Sequence, residues 1–177
     1  MPFEDWDWTV RTSREIVLPK LSALGWMPGS FAQVEDLRDV KLGEAAKLLD
    51  MRGKIDAIWE APDGALHGLM MRNQPGPFKT PTGGPYNTWS LRESEVIWLT
   101  EMLQRKDLIM PFYHVQAYFV ERKEHPELLT LGVARIRFLV GALNETPNWT
   151  TNTDARATRF TSVPFSALPD GSGWVWP

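Results

Sequence analysis

Residues 53–74, GKIDAIWEAPDGALHGLMMRNQ, contain the pattern that decides the fold. Two apolar runs flank Pro62-Asp63-Gly64, and an Asp-Gly pair between such runs is a strong signal for a β-hairpin. The sequence therefore predicts an antiparallel hairpin over residues 55–72 that turns at Asp63-Gly64. Apolar residues fill both alternating sets of positions in each run, which favours strands in the middle of a sheet covered by helices.

Polar side chains stand at the ends of this hairpin and raise the question of function. Asp56 enters the first run, and Arg72 and Gln74 close the second. An acid at a strand entrance is most often a cap or a turn partner, and Arg72 is then a surface residue or the ion-pair partner of Asp56. The competing interpretation is a site in which Asp56 binds a metal and Arg72 contacts a phosphate.

The composition indicates one globular domain over residues 1–177, with 43% hydrophobic residues. The chain has 19 lysines and arginines against 22 acids, so a net charge of −3 gives no overall basic field. The lack of cysteine excludes disulfides, thiolate metal sites and cysteine nucleophiles. The N-terminus, MPFEDWDWTV, is unlike a signal peptide, and Arg135 and Arg137 interrupt the longest apolar run. We expect a soluble, cytoplasmic protein without a membrane segment.

The remaining patterns predict a mixed α/β (α+β) domain, with a central mixed sheet that contains the hairpin and is flanked by helices. Thr12-Ser13 followed by Glu15 predicts the start of a helix that Pro19 kinks and Gly25 ends. The other predicted elements, in chain order, are a loop over 25–37, a helix over 42–50, an exposed Pro/Gly connection over 73–89, a helix over 90–107 capped by Ser90 or Ser94, a strand over 112–122, a strand to Ala134 and then a helix to Leu143, and a strand over 159–165.

An N-terminal helix followed by a hairpin with an acid at its first strand resembles the PD-(D/E)xK nuclease superfamily, which has the restriction-endonuclease-like fold. The resemblance covers roughly residues 12–120. It implies a core of helix, three strands, helix and strand, with a Mg²⁺ or Mn²⁺ site at the hairpin. Asp56 takes the place of the first metal-binding aspartate, Glu15 matches the glutamate that some members carry on the helix, and Asp50 is a further candidate oxygen ligand.

The returning strand departs from the acid-x-lysine pattern of this superfamily. The chain has Met70-x-Arg72 or Arg72-x-Gln74 at that place. Met70 supplies no hard oxygen for a divalent ion, whereas the Gln74 amide oxygen does if it lies beside Asp56, so these two residues are the candidate catalytic pair. Arginine keeps its charge and binds phosphate in a forked contact, which makes Arg72 and Arg92 candidate nucleic-acid ligands.

The leading hypothesis is a nuclease-fold protein that binds or hydrolyses nucleic acid with a divalent metal. The alternative is a catalytically inactive protein of the same fold that works in binding or assembly and is associated with phage or defence systems. A third interpretation is an α/β enzyme for a small molecule, with the Gly/Pro loop at 75–85 as a lid.

Tryptophan is unusually frequent, with nine residues scattered along the chain. Most are expected in the core and at sheet edges, where indole buries a large area. The terminal pairs Trp6/Trp8 and Trp174/Trp176 also suggest an aromatic surface for a protein partner. Ten basic residues of the later chain are a candidate nucleic-acid face, namely Lys79, Arg92, Arg105, Lys106, Arg122, Lys123, Arg135, Arg137, Arg156 and Arg159.

Overall fold

The computed structural model describes residues 3–33, 55–76, 87–104, 111–145, 149–151 and 158–177. The helices are α1 (Phe3–Thr12), a π-helical segment (Ser13–Val17), α2 (Leu18–Ala23), α3 (Glu93–Leu103), α4 (Ile136–Glu145) and a 3₁₀ turn (Phe165–Ala167). The strands are β1 (Ser30–Gln33), β2 (Ala57–Glu60), β3 (Leu66–Pro75), β4 (Thr88–Arg92), β5 (Pro111–Phe119), β6 (Leu128–Arg135), β7 (Trp149–Thr151), β8 (Arg159–Pro164) and β9 (Gly173–Trp176). The helix predicted over 42–50 lies outside the described residues.

The predicted hairpin is confirmed, because β2 and β3 pair antiparallel with Ala57 opposite Leu69. Its turn is closed by a 2.8 Å hydrogen bond from the Gly64 backbone N to the Ala61 carbonyl oxygen. Gly64 has a φ of 83°, a left-handed conformation that glycine adopts without the steric cost of a Cβ. The Asp63 carboxylate accepts the N–H two residues further on, as aspartate commonly does in turns.

β3 lies inside a six-stranded mixed sheet whose order is β1-β2-β3-β5-β6-β9. It pairs antiparallel with β2 on one side and parallel with β5 on the other, and the rest of the sheet is antiparallel. A parallel pair needs a crossover connection, and β4 and α3 lie in the segment that makes it. β4 belongs to a separate three-stranded sheet, in the order β4-β8-β7.

The two faces of the large sheet are covered by different layers. The first face, which includes Leu69, Val115 and Val133, packs against Val17 and Leu21 of the N-terminal helices. The second face packs against α3, α4 and the small sheet, and its core residues are Met70, Trp89, Leu91, Val96, Leu99, Tyr118, Ala134, Ile136, Leu139, Val140, Leu143, Val163 and Phe165. This mixed α/β arrangement, with helices on both faces of a mixed sheet, agrees with the fold class that the sequence predicts.

The N-terminal helix begins at Phe3, so the prediction of a start at Thr12-Ser13 is wrong. The Thr12 hydroxyl donates back to the Trp8 carbonyl at 2.8 Å instead of capping a new helix. A π-helical turn precedes Pro19, where the Leu18 backbone N–H bonds to the Ser13 carbonyl. Pro19 has no N–H to continue the regular pattern, which accounts for a wide turn at this place.

The predicted helix end at Gly25 is confirmed. Gly25 has a φ of 69°, and its backbone N–H donates to the Ser22 carbonyl oxygen at 2.9 Å. The next N–H, from Trp26, reaches the Leu21 carbonyl at 3.3 Å. This pair of bonds is the Schellman arrangement, in which a glycine at the end of the helix satisfies the last carbonyl groups.

Three short strands replace structures that the sequence predicts differently. β1 lies in the predicted loop over 25–37, and β9 lies in the C-terminal tail. β4 occupies Thr88–Arg92, so Ser90 is a strand residue and Ser94 is the second residue of α3, and neither caps that helix. The predicted strand-to-helix change after Ala134 is confirmed to within one residue.

The described tryptophan side chains pack in or against the cores, as the sequence predicts. Trp8, Trp59 and Trp89 are buried. The terminal Trp174 stacks on Trp26, with ring centroids 6.2 Å apart. The indoles of β9 thus close one edge of the first core. None of the helices within the described ranges is both long and apolar enough to cross a membrane.

The tight contact between Gly132 and Phe165 gives a test of the packing on the second face. A Cβ at Gly132 would lie 2.7 Å from the end of the Phe165 ring, which is itself held against Trp89 at a centroid distance of 4.5 Å. We expect Gly132→Ala to lower the free energy of unfolding by about 1–3 kcal/mol, because overpacking a filled core displaces its neighbours. Urea denaturation measures this change.

The matched control is Gly141→Ala in α4, where a Cβ meets no atom within 4 Å. Alanine is favoured over glycine inside a helix by roughly 0.5–1 kcal/mol, so this variant is expected to gain stability. Equal effects of the two substitutions would contradict the packing at Gly132.

Candidate functional site

A row of polar side chains lies on the second face, where β3 and β5 run parallel. Arg72 and Gln74 of β3 lie in register with Gln116 and Tyr118 of β5. His114 precedes them on β5 and is fully buried. Since side chains alternate between the two faces of a strand, all five project toward the crossover formed by β4 and α3. We call these five residues and Glu95 the polar row.

Arg72 is fixed by Glu95, which lies in the first turn of α3. Its Nη2 atom lies 2.8 Å and 2.7 Å from the two carboxylate oxygens, and the two side chains are 19% and 13% exposed. The second of these oxygens also accepts the Arg92 backbone N–H at 2.7 Å. One carboxylate therefore neutralises the arginine on the sheet and satisfies an N–H at the start of the helix.

Gln116 joins the other members of the polar row. Its Oε1 atom accepts the Ser90 backbone N–H of β4 at 3.4 Å, and its Nε2 atom donates to Gln74 Oε1 at 3.4 Å. His114 Nε2 lies 3.3 Å from the Oε1 atom of Gln116. Because Oε1 can only accept, this contact requires a neutral His114 to carry its proton on Nε2.

The electrostatic environment keeps His114 neutral. Burial, and after it the nearby Arg72 guanidinium, lower the pKa of His114 to about 4, against the opposing effects of Gln116 and Glu95. Burial also raises the pKa of the Tyr118 phenol, whose hydroxyl donates to the Thr88 carbonyl at 2.7 Å. The row therefore contains one ion pair among neutral groups.

Asp56 caps a strand, as its position at the entrance of the hairpin suggests. Its backbone N–H donates to the Leu69 carbonyl oxygen at 2.8 Å, and its Oδ2 atom accepts the Met71 backbone N–H at 2.7 Å. The carboxylate thus caps β3 just beyond its last pair with β2. This contact supports the interpretation of Asp56 as a strand cap. The carboxylate that Arg72 binds is that of Glu95, so the expected pairing of Arg72 with Asp56 is wrong.

Two of the predicted oxygen ligands, Glu15 and Gln74, lie on opposite faces of the large sheet. Glu15 is exposed on the helical layer of the first face, whereas Gln74 belongs to the polar row on the second face. Asp50 lies outside the described residues. No group of three or more histidine, aspartate or glutamate side chains suited to a metal ion occurs among the residues described. The set of Asp56, Asp50 and Glu15 stays a prediction.

The described oxygen donors near the hairpin are a poor match for Mg²⁺ or Mn²⁺, which favour several hard oxygen ligands. The Asp56 carboxylate already accepts a backbone N–H, and the Gln74 oxygen accepts from Gln116. Glu95 is neutralised by Arg72, whose positive charge would repel a cation placed beside it.

The first face of β3 holds a second polar anchor, which joins the sheet to the N-terminal helix. The Asn73 amide nitrogen lies 3.0 Å from the Thr9 carbonyl, 2.8 Å from Thr12 Oγ1 and 2.9 Å from Ser13 Oγ. These contacts surround the beginning of the π-helical turn. They position α1 against β3, directly behind Arg72.

Sequence reasoning identified Arg72, Gln74 and the Arg92 region but missed Glu95, His114 and Gln116. The alternation of polar and apolar residues in the segment HVQAY, residues 114–118, is a signal for a strand with one polar face. Glu95 follows Arg92 by three residues, which is the spacing at which an acid accepts the first N–H of a helix. Its pairing with Arg72 has no local signal.

The described members of the ten-residue basic set are distributed over different parts of the fold. Arg159 pairs with Glu93 at 2.7 Å, next to the start of α3. Arg122 and Lys123 follow β5 and lie beside α1.

Comparison of the chain with protein-family models, curated proteins and solved structures found no match.

The contact between Arg72 and Glu95 predicts strong energetic coupling. In a double-mutant cycle, Arg72→Met and Glu95→Gln are each expected to lower the free energy of unfolding by about 2 kcal/mol. Each substitution leaves the remaining charged side chain mostly buried and without its ion-pair partner. The double variant should cost clearly less than the sum, with a coupling energy of about 1–2 kcal/mol. Urea denaturation of the four proteins gives the cycle.

The pair Arg159–Glu93 is a matched control, since it has the same 2.7 Å distance but side chains that are 46% and 34% exposed. Exposed pairs contribute roughly 0–1 kcal/mol, so its coupling should be smaller. A coupling at Arg72–Glu95 no larger than at this control pair would contradict a stabilising role.

Burial of His114 predicts a loss of stability in mild acid. The pKa is about 4 in the folded chain and 6.5 as the ordinary value, so below pH 6.5 the unfolded chain takes up a proton that the folded chain does not bind. Stability is therefore present in full above that value and falls as the pH decreases toward about 4. We expect the free energy of unfolding to drop by about 2 kcal/mol between pH 7 and pH 5 through this residue.

Urea titrations at the two pH values measure this drop, which His114→Gln should remove. His125→Gln is the control, because His125 is exposed on the turn after β5. A His114→Gln protein that keeps the wild-type dependence on pH would show that another group is responsible.

Proposed function

We propose that this chain is a nuclease-fold protein that binds nucleic acid, with the C-terminal end of β3, away from the hairpin turn, as part of the binding surface. The observation that carries the proposal is the chain order of α1–α2, β1, β2, β3, α3 and β5. It agrees with the helix, three strands, helix and strand implied by the resemblance to the restriction-endonuclease-like superfamily, with β4 as an addition. Asp56 stands at the entrance of the hairpin, as that resemblance requires.

The contacts at this end favour binding over hydrolysis. At the place of an acid-x-lysine pair, the chain has a buried Met70 and an arginine that is already paired with Glu95. Metal-assisted hydrolysis needs an ion that activates water and stabilises the leaving oxygen. Asp56 instead contributes a hydrogen bond to β3.

Arg92 is the residue best placed to contact a phosphate at this surface. It is exposed, and its backbone is held by the Glu95 carboxylate at the junction of β4 and α3. Arg72 lies behind it, bound to the same carboxylate. A phosphate at Arg92 would meet a guanidinium on a rigid backbone, and arginine suits phosphate by its planar set of donors.

We expect Arg92→Gln to weaken the binding of labelled single- and double-stranded oligonucleotides by about tenfold, which corresponds to one charge-assisted contact. Loss of one phosphate contact should also reduce the slope of log affinity against log salt by about one. Fluorescence anisotropy at several salt concentrations measures both. Lys20→Gln is the control, because Lys20 belongs to α2 on the first face and lies over the Trp176 ring.

The same oligonucleotides, incubated with Mg²⁺ or Mn²⁺, distinguish binding from the alternative of hydrolysis. Under our proposal the wild-type protein leaves them intact, and Asp56→Asn binds them as the wild type does. Metal-dependent cleavage that is lost in Asp56→Asn, at an unchanged thermal midpoint, would instead assign Asp56 to a metal site. Absence of any oligonucleotide binding would overturn the proposed function.

A further inference from the structure

An open cavity of about 620 Å³ lies between α1 and the turn that follows β5. Its lining residues come from these two segments and are Asp7, Trp8, Arg11, Arg122 and Lys123. The volume is within the range of small-molecule binding sites, which is roughly 300–1,000 Å³. The cavity lies on the helical side of the first face, so the sheet separates it from the polar row.

Trp8 forms the floor of the cavity, and only 6% of its surface is exposed. Its indole Nε1 donates to the Lys123 carbonyl at 3.1 Å, so the helix and the turn are bonded directly. Its ring meets Phe119 edge-on, with centroids 5.3 Å apart. A site whose walls are joined in this way loses little conformational freedom when a ligand binds.

The walls of the cavity are mainly cationic. The guanidinium of Arg122 lies 5.6 Å from the centroid of the Trp8 ring, which holds it against the floor. Arg11 and Lys123 add two further positive charges, against the carboxylate of Asp7 and that of Glu121, which lies 3.0 Å from Lys123 Nζ. A protein with a net charge of −3 thus gathers three cations around one concave site.

We propose that this cavity binds the phosphate group of a ligand, with Arg11, Arg122 and Lys123 as its charged contacts. Three donors of positive charge on two rigidly joined segments suit an anion with several acceptor oxygens and a charge near −2. The ring of Trp8 is buried, so the site offers a floor and not a stacking surface for a base. Phosphate, and not a nucleobase, is therefore the recognised group, whether it belongs to a free phosphate compound or to a nucleic-acid backbone.

Binding of inorganic pyrophosphate and of a single-stranded oligonucleotide, each measured by calorimetry, tests this proposal. The double variant Arg11→Gln/Lys123→Gln is expected to weaken binding at the site by about tenfold or more. Asp7→Asn removes the opposing carboxylate and is expected to strengthen binding by about threefold. A gain of affinity cannot come from a protein that fails to fold. Lys20→Gln, which changes a cation of α2 that lies over the Trp176 ring and does not line the cavity, is the charge control.

The two ligands identify the source of the phosphate. If the double variant weakens the binding of pyrophosphate but not of the oligonucleotide, the site is assigned to a free phosphate compound. If it weakens the binding of the oligonucleotide, the site is assigned to a nucleic-acid backbone. If the oligonucleotide binds but neither the double variant nor Asp7→Asn changes its affinity, and pyrophosphate does not bind, this inference is overturned while the proposed function stands. If only pyrophosphate binds and the variants shift its affinity as expected, the inference holds and the proposed function fails.

Discussion

The pairing of β3 with two neighbours of opposite direction is the constraint on which the rest of the structure depends. β2 covers only the first part of β3, from Leu66 to Leu69, whereas β5 follows it to Pro75. None of the described strands pairs with the second half of β3 on the β2 side, and a backbone N–H without a partner is costly. Asp56 meets this need at Met71, so the acid that looks functional in the sequence completes the sheet.

The parallel pairing with β5 has a second consequence, because it requires the chain to cross the second face. That crossover brings β4 and the first turn of α3 over Arg72, Gln74 and Gln116. Polar side chains buried between two layers must find partners there. Glu95 supplies the countercharge for Arg72, and the Ser90 backbone supplies a donor for Gln116. The polar row is thus a result of topology as much as of composition.

The hairpin and the end of the first helix could be predicted because their signals are local. Gly64, which follows Asp63 in the turn, and Gly25 each have a left-handed backbone that few other residues adopt readily. β1 and β9 have four residues each, too few for alternation to be distinguished from a loop. They become strands because neighbours that are distant in the chain offer edges for pairing, and a sequence read locally contains no signal for those edges.

The candidate site shows the same division. The carboxylate that fixes Arg72 lies 23 residues away in the chain and joins it only after the crossover has formed. An acid nearer in sequence, such as Asp56, is the natural choice from spacing alone. Spacing within one hairpin identifies which side chains share a face. It does not identify what the next layer places opposite them.

Glu95 binds both the Arg72 guanidinium and the Arg92 backbone N–H, and this limits how much Arg72 can contribute to the binding of a ligand. A phosphate that approached Arg72 would have to replace a carboxylate already bound at 2.7 Å, so most of the new attraction would repay the ion pair that is lost. Among the described residues, the exposed Arg92 side chain has no ion pair to give up, while its backbone N–H stays bound to Glu95. Arg72 therefore acts mainly by holding Glu95, and through it the start of α3, in place. Under the proposed function, the affinity of this surface for phosphate would therefore depend on Arg92, whose backbone Glu95 holds, and not on Arg72, whose charge Glu95 neutralises.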